Sequence, residues 1–303
     1  MENKIKYAVI AVVAIIIVAA IGLVFLNQGD DGSEPVTITQ KGSDTMLELC
    51  QYWAEDFMAE NDDVTVEISG GGSSTGLTAL IAGEVDLAQA SRQIKSSELA
   101  SANSSGVEPV EFKVAIDGIS IVINDDCPVE NLTMEELRGI YNGTITNWNQ
   151  VGGDDHAITL YGRQSTSGTY EYFWEVVLKK ENYSASMNML SGNSAIVAAV
   201  QGDEYGIGYV GIGYAEATGI GIVELKADEN STAYSPLDEA AVLAGDYELS
   251  RYLYIYTDGT PTGAIADWLE WVLTVDGGQA VAEEVGFYAL SSDVIAEQLA
   301  KLG

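Results

Sequence analysis

The 303-residue chain carries 46 Asp plus Glu against 13 Lys plus Arg, a formal charge of −33, and 47% of its residues are hydrophobic. That apolar fraction is enough for two ordinary cores, and the negative field repels nucleic acid and anionic lipid, which excludes both as expected partners. So strong a charge suits a salty environment, where at ~1 M salt the screening length is roughly 3 Å.

The chain opens with Lys4 and Lys6, followed by an uncharged apolar run from Tyr7 to Leu26. Residues 1–26 read as a membrane anchor or a signal segment with its lysines on the cytoplasmic side, so that everything after Asn27 lies outside. No cysteine follows closely enough for lipid attachment. Residues 27–35, rich in Gly, Asp, Ser and Pro, read as a linker, and the folded part begins at Val36.

From there strand-like and helix-like stretches alternate. Residues 36–40 predict a strand. Residues 44–61 predict a helix, with Met46, Leu47, Cys50, Trp53, Ala54 and Phe57 at helical spacing. Strands follow at 64–69 and 85–90 with a helix at 75–82 between them, then a buried strand at 119–124. Thr133 and Glu136 form a capping box that opens a helix over 133–141. A strand at 158–161, helices at 167–178 and 194–201, and strands at 206–210 and 251–256 come next. Three helices close the chain, at 263–274, 277–285 and 292–301. The pattern predicts α/β layers with largely parallel sheets. Cys50 and Cys127 are the only cysteines, so no disulfide framework or paired-cysteine metal site is available. Cys50 reads as a buried small hydrophobe, and a single Cys50–Cys127 disulfide stays open.

Three loops carry the chemistry: Gly42-Ser43-Asp44-Thr45, Gly70-Gly71-Gly72-Ser73-Ser74-Thr75-Gly76, and Arg163-Gln164-Ser165-Thr166-Ser167-Gly168-Thr169. Each follows a strand and precedes a helix, where free N–H groups and the positive end of the helix dipole favour an anion. Arg163, one of only four arginines, adds a planar fork suited to a tetrahedral oxyanion. The plainer readings are an N-cap role for Asp44, a solvated place for Arg92 and an Asx turn for Asp117 beside Gly118.

Together with Val85 to Arg92, Ala115 to Ile119, Gly143 to Trp148 and Tyr205 to Val210, these loops resemble the phosphate-binding proteins of ABC-type phosphate uptake systems. The resemblance runs from Val36 to about Leu290. It implies a two-lobed, type II periplasmic-binding-protein fold, with residues 36–117 plus 250–303 in lobe one and 118–249 in lobe two. It also implies a monomer without cofactor that captures inorganic phosphate and hands it to ABC permease subunits with their ATPase. By the same resemblance the phosphate is ringed by Ser43, Asp44, Thr45, Ser73, Ser91, Arg92, Arg163, Ser167, Gly168 and Thr169.

Many members have Asp where this chain has Arg92, and that Asp takes the phosphate proton. Asp44 is the first candidate to replace it and Asp117 the second. Other readings of the cradle are sulfate, molybdate or tungstate capture, or phosphate sensing. Gly72-Ser73-Ser74-Thr75-Gly76 also fits the G-x-S-x-G nucleophile elbow, but the only histidine is His156, mid-chain in a polar turn, so no enzyme activity is expected.

Overall fold

The computed structural model describes residues 35–302. The expected anchor at 1–26 and nearly all of the linker at 27–35 lie outside them. Among the described residues no helix is long and apolar enough to cross a membrane.

The chain runs β1 (Val36–Gly42), α1 (Leu47–Glu60), β2 (Val64–Ser69), α2 (Ser73–Ile81), β3 (Leu87–Ala90), α3 (Ser96–Ser105) and β4 (Pro109–Gly118). After Ile119 come β5 (Ser120–Asn124), β6 (Asn131–Thr133), α4 (Met134–Asn142), β7 (Thr159–Arg163), α5 (Gly168–Val176) and β8 (Asn188–Leu190). Then follow α6 (Asn193–Gln201), β9 (Gly206–Val210), β10 (Ile220–Lys226) and α7 (Glu239–Ala244). The chain closes with β11 (Ser250–Asp258), α8 (Ala264–Leu273), α9 (Ala280–Glu284) and α10 (Ser292–Leu299).

Two sheets result, ordered β2-β1-β3-β11-β4 and β6-β10-β5-β9-β7-β8. The expectation of largely parallel sheets needs correction, because both are mixed. β11 is antiparallel to β3 and to β4, and β5 is antiparallel to β9 and β10. The physical reason is the path: the chain leaves the first sheet along β4 into β5 and returns along β11. The outgoing and returning strands therefore run in opposite directions, with Ser250 opposite Gly118 and Arg251 opposite Asp117.

Each sheet has its own core. On α1 the buried residues Leu49, Cys50, Trp53, Ala54 and Phe57 recur every three or four positions, so one face packs against Trp268, Leu269, Val272 and Leu273 of α8. Phe57 meets Trp268 edge to face at 5.2 Å. In the second sheet β5 and β9 are buried along their whole length, in keeping with their uncharged, largely apolar sequences. Thr133 and Glu136 form the expected capping box: Thr133 N donates to Glu136 Oε2 at 2.8 Å, and Glu136 N to Thr133 Oγ1 at 3.1 Å. Cys50 and Cys127 are both free thiols.

Candidate anion-binding site

The first loop leaves β1 at Gly42 and is pinned by a buried chain of amides. Ser43 N donates to the Gln89 carbonyl at 2.8 Å, and Gln89 Nε2 returns a bond to the Ser43 carbonyl at 3.0 Å. Gln40 Nε2 then donates to Gln89 Oε1 at 2.9 Å, and Trp268 Nε1 to Gln40 Oε1 at 3.1 Å. The expected N-cap role of Asp44 is corrected by the structure: α1 starts after Met46 with no side-chain cap. Instead the Asp44 carboxylate leaves its own helix, accepting from Gly71 N at 2.9 Å and from Arg163 Nη2 at 2.8 Å.

The second loop enters α2 through Gly72, at φ 94°, where a Cβ would run into the Thr166 carbonyl. Ser74 N donates to that same carbonyl at 3.2 Å, so the second and third loops touch through their backbones. In the third loop Ser167 caps α5, its Oγ accepting from Thr169 N at 3.2 Å and Tyr170 N at 3.4 Å. A Cβ on Gly168 would collide with Ser73 Oγ and Ser91 Oγ, so only glycine allows these loops to meet.

A buried cluster of hydroxyls forms where the loops converge. Thr45 Oγ1 and Thr169 Oγ1 are 2.7 Å apart, Ser73 Oγ and Ser91 Oγ 3.4 Å, and Ser91 N donates to Ser73 Oγ at 3.1 Å. Arg163, only 1% exposed, donates from Nη1 to Asn193 Oδ1 at 3.1 Å and from Nη2 to Asp44 and the Ser191 carbonyl. Its Nε is buried and has no hydrogen-bond partner among the described residues. Burial pulls the Arg163 pKa down while Asp44 opposes the shift, and an arginine stays charged under either influence. Tyr209 Oη accepts from Arg163 N at 3.1 Å, and burial pushes that phenol up to about 12.

Two of the expected ligands are otherwise engaged. Arg92 does not join the hydroxyl cluster: both terminal nitrogens meet Glu98, at 2.8 and 2.6 Å, and Nη2 also donates to Ser74 Oγ at 2.9 Å. Asp117 is fully buried and committed, accepting from Arg251 Nε and Nη2 at 2.9 and 2.7 Å and from Ile212 N at 2.9 Å. Sequence reasoning passed over Arg251, Asn193 and Gln89 as site residues. The scarcity of arginine was the available signal for Arg251, since three of the four lie in or beside the cluster.

The arrangement offers donors in excess and one partly free carboxylate, which suits an oxyanion that still carries a proton. The hydrolase reading finds no support in the geometry: Ser74 Oγ is bound by Arg92, whereas His156 stacks on Tyr205 at 4.0 Å. Among the described residues no cluster of His, Cys, Asp and Glu could hold a metal ion.

The chain is similar to known proteins along most of its length. A family model described as a PBP superfamily domain matches residues 29–276. The phosphate-binding protein PstS of Pseudomonas aeruginosa is 33% identical over 283 residues, covering 88% of this chain and 87% of its own. PstS of Staphylococcus saprophyticus is also 33% identical, covering 91% and 87%. Among solved structures, a Clostridium perfringens protein with bound phosphate is similar at a TM-score of 0.75 and 28% identity, over 84% of this chain and 100% of its own. An ABC-type phosphate transport receptor from Vibrio cholerae gives 0.67 and 26%, again over 84% and 100%. With these likenesses spanning both sheets and all three loops, the chain belongs to the PBP superfamily, in the family of PstS phosphate-binding proteins.

Proposed function

We propose that the chain captures inorganic phosphate outside the cytoplasm and delivers it to an ABC transporter, without transforming it. The observation that carries this reading is Arg163, a buried guanidinium bound to Asp44 whose Nε has no partner among the described residues, in loops that also bring the Thr45 and Thr169 hydroxyls together. A tetrahedral anion supplies acceptors to such donors, and a protonated oxygen supplies a donor to the carboxylate.

The two sheets correspond to lobes of residues 36–117 plus 250–303 and 118–249, which separate to admit the ion and close on it. Ser43, Asp44, Thr45, Ser73, Ser91, Arg163, Ser167, Gly168 and Thr169 surround the ion. Closure favours binding because Thr45, Ser73 and Ser91 on one side and Arg163 and Thr169 on the other share one ligand only when the loops meet. The chain acts as a monomer, held at the outer membrane face by residues 1–26 or released after their removal. It docks on permease subunits driven by their ATPase.

Calorimetric titration in high salt with phosphate, sulfate and molybdate tests this. Tight binding of phosphate alone is the expected result. Preference for sulfate or molybdate would replace the ligand, and binding of none of the three would overturn anion capture.

A further inference from the structure

Arg251 and Asp117 face each other on the two strands that carry the chain between the sheets, and both side chains are buried. Arg251 spends its donors on three partners. Nε and Nη2 hold Asp117, Nη1 donates to the Ser91 carbonyl at 2.7 Å, and Nη2 also donates to Thr169 Oγ1 at 2.8 Å. Asp117 completes the arrangement with Ile212 N.

An arginine can only donate, whereas a hydroxyl has one proton and two lone pairs. Because Thr169 Oγ1 accepts from Arg251, its proton must go to some other acceptor. Arg251 also donates to the Ser91 carbonyl and the Asp117 carboxylate, so its fork is held on both sides of the bond to Thr169. Within reach of the Thr169 proton are Thr45 Oγ1 at 2.7 Å, Ser91 Oγ at 3.5 Å, and a ligand in the cluster.

We propose that Arg251 is a positioning residue for anion binding: held by Asp117, it fixes Thr169 as a hydrogen-bond donor toward an oxygen of the ion that bears no proton. Arg251 acts through Thr169 rather than by touching the ion. The division of labour that follows gives Thr169 the unprotonated oxygens and leaves the proton-bearing one to Asp44. This inference rests on the anion-capture reading.

The test is a double-mutant cycle in the full chain, read as phosphate affinity by calorimetry at several pH values. Lysine keeps the charge against Asp117 but lacks the fork that serves Asp117, Ser91 and Thr169 together. Arg251→Lys is expected to weaken phosphate binding on the order of tenfold, and to cost less than about twofold once Thr169→Val is present. Equal losses in both backgrounds would overturn the proposal.

Should Arg251→Lys not fold, the Thr169 variants decide. Thr169→Val is expected to weaken binding with no change in the shape of the pH profile, and Thr169→Ser to restore it. A profile altered by Thr169→Val would mean that the hydroxyl accepts the phosphate proton, and an unchanged affinity would mean that it meets no ligand; either result overturns the proposal. Wild-type protein that binds no phosphate would instead reject the functional reading, so the two failures are distinct.

Discussion

Asp44 Oδ2 lies 2.8 Å from Arg163 Nη2, joining the loop after β1 to the end of β7. The carboxylate thereby orients the guanidinium while its other oxygen holds Gly71 N, tying three loops with one side chain. Asn193 Nδ2 and Tyr214 Oη add bonds to the Asp44 carbonyl at 3.2 and 3.3 Å, so the residue is gripped from the second sheet's side as well.

On the proposed reading Asp44, rather than the Arg251-bound Asp117, accepts a hydrogen bond from the protonated phosphate oxygen. Asp44→Asn is expected to lower the ratio of phosphate to sulfate affinity on the order of tenfold, the size of a lost charge-assisted hydrogen bond. Parallel titrations with the two ions check this. A ratio equal to that of the wild type would assign discrimination to another group.

Replacing Arg163 removes the fork itself. Arg163→Lys is expected to weaken phosphate binding by about 10- to 100-fold, corresponding to roughly 1.5–3 kcal/mol for hydrogen bonds to a charged group. Direct titration gives the number, and a loss under threefold, taken as roughly the noise of such contributions, would remove Arg163 from the cradle.

Lys95, just before α3, reaches Glu171 on α5 at 2.9 Å, a clasp between the two sides of the cleft. Such a partly exposed pair is worth ~0.2–1 kcal/mol. Lys95→Ala should therefore weaken phosphate binding less than about fivefold, and the deficit should shrink as salt is added. Titrations at low and high salt separate this from loss of the fold.

Tyr209 gives the protein an alkaline limit. Burial pushes its phenol from the ordinary 10.0 up to about 12, so between those values the unfolded state binds fewer protons. Stability is intact below the lower value, falls by about 1.4 kcal/mol per pH unit for this group, and levels off above the upper one. Tyr161, raised to about 12 by burial and by Asp203, adds to the same window. Urea midpoints measured across it should fall with pH, with a shallower slope in Tyr209→Phe.

The net charge of −33 sets a dependence in the other direction. Self-repulsion among exposed carboxylates is screened by salt, so the melting temperature should climb as salt rises from ~0.1 M to ~1 M. Thermal melts at graded salt check this, and a flat response would detach the acidity from any salty habitat.

Much of this architecture was legible because its signals are local. The apolar stripe of α1, the alternation in β2 and the capping box of α4 are each written within a dozen residues. α3 escaped notice because Ser96 to Ser105 has no apolar period. Only Ala102 is buried, and the helix is defined by Glu98 capping Lys95 N and by Gly106 in the left-handed region. The loops of the site were legible for the same reason as α1, whereas the contacts of Arg92 with Glu98 and of Arg251 with Thr169 were not. Ser91 and Arg92 are consecutive residues leaving a strand, and such neighbours face opposite sides. Arg251 reaches the site only through pairing with a strand 134 residues earlier, a contact with no trace in its own neighbourhood.

The buried amides of Gln40 and Gln89 give the first loop a further property. The Gln89 amide donates to the Ser43 carbonyl from the core side and connects through Gln40 to Trp268 of α8, while the Gln89 backbone carbonyl accepts from Ser43 N. An arriving ion meets a preorganised surface, and little conformational entropy is lost on that side of the cleft. On this reading affinity is partly a property of the hydrophobic core: Trp268→Phe, which removes only the bond to Gln40, is expected to loosen the loop and lower phosphate affinity, as titration of that variant would show.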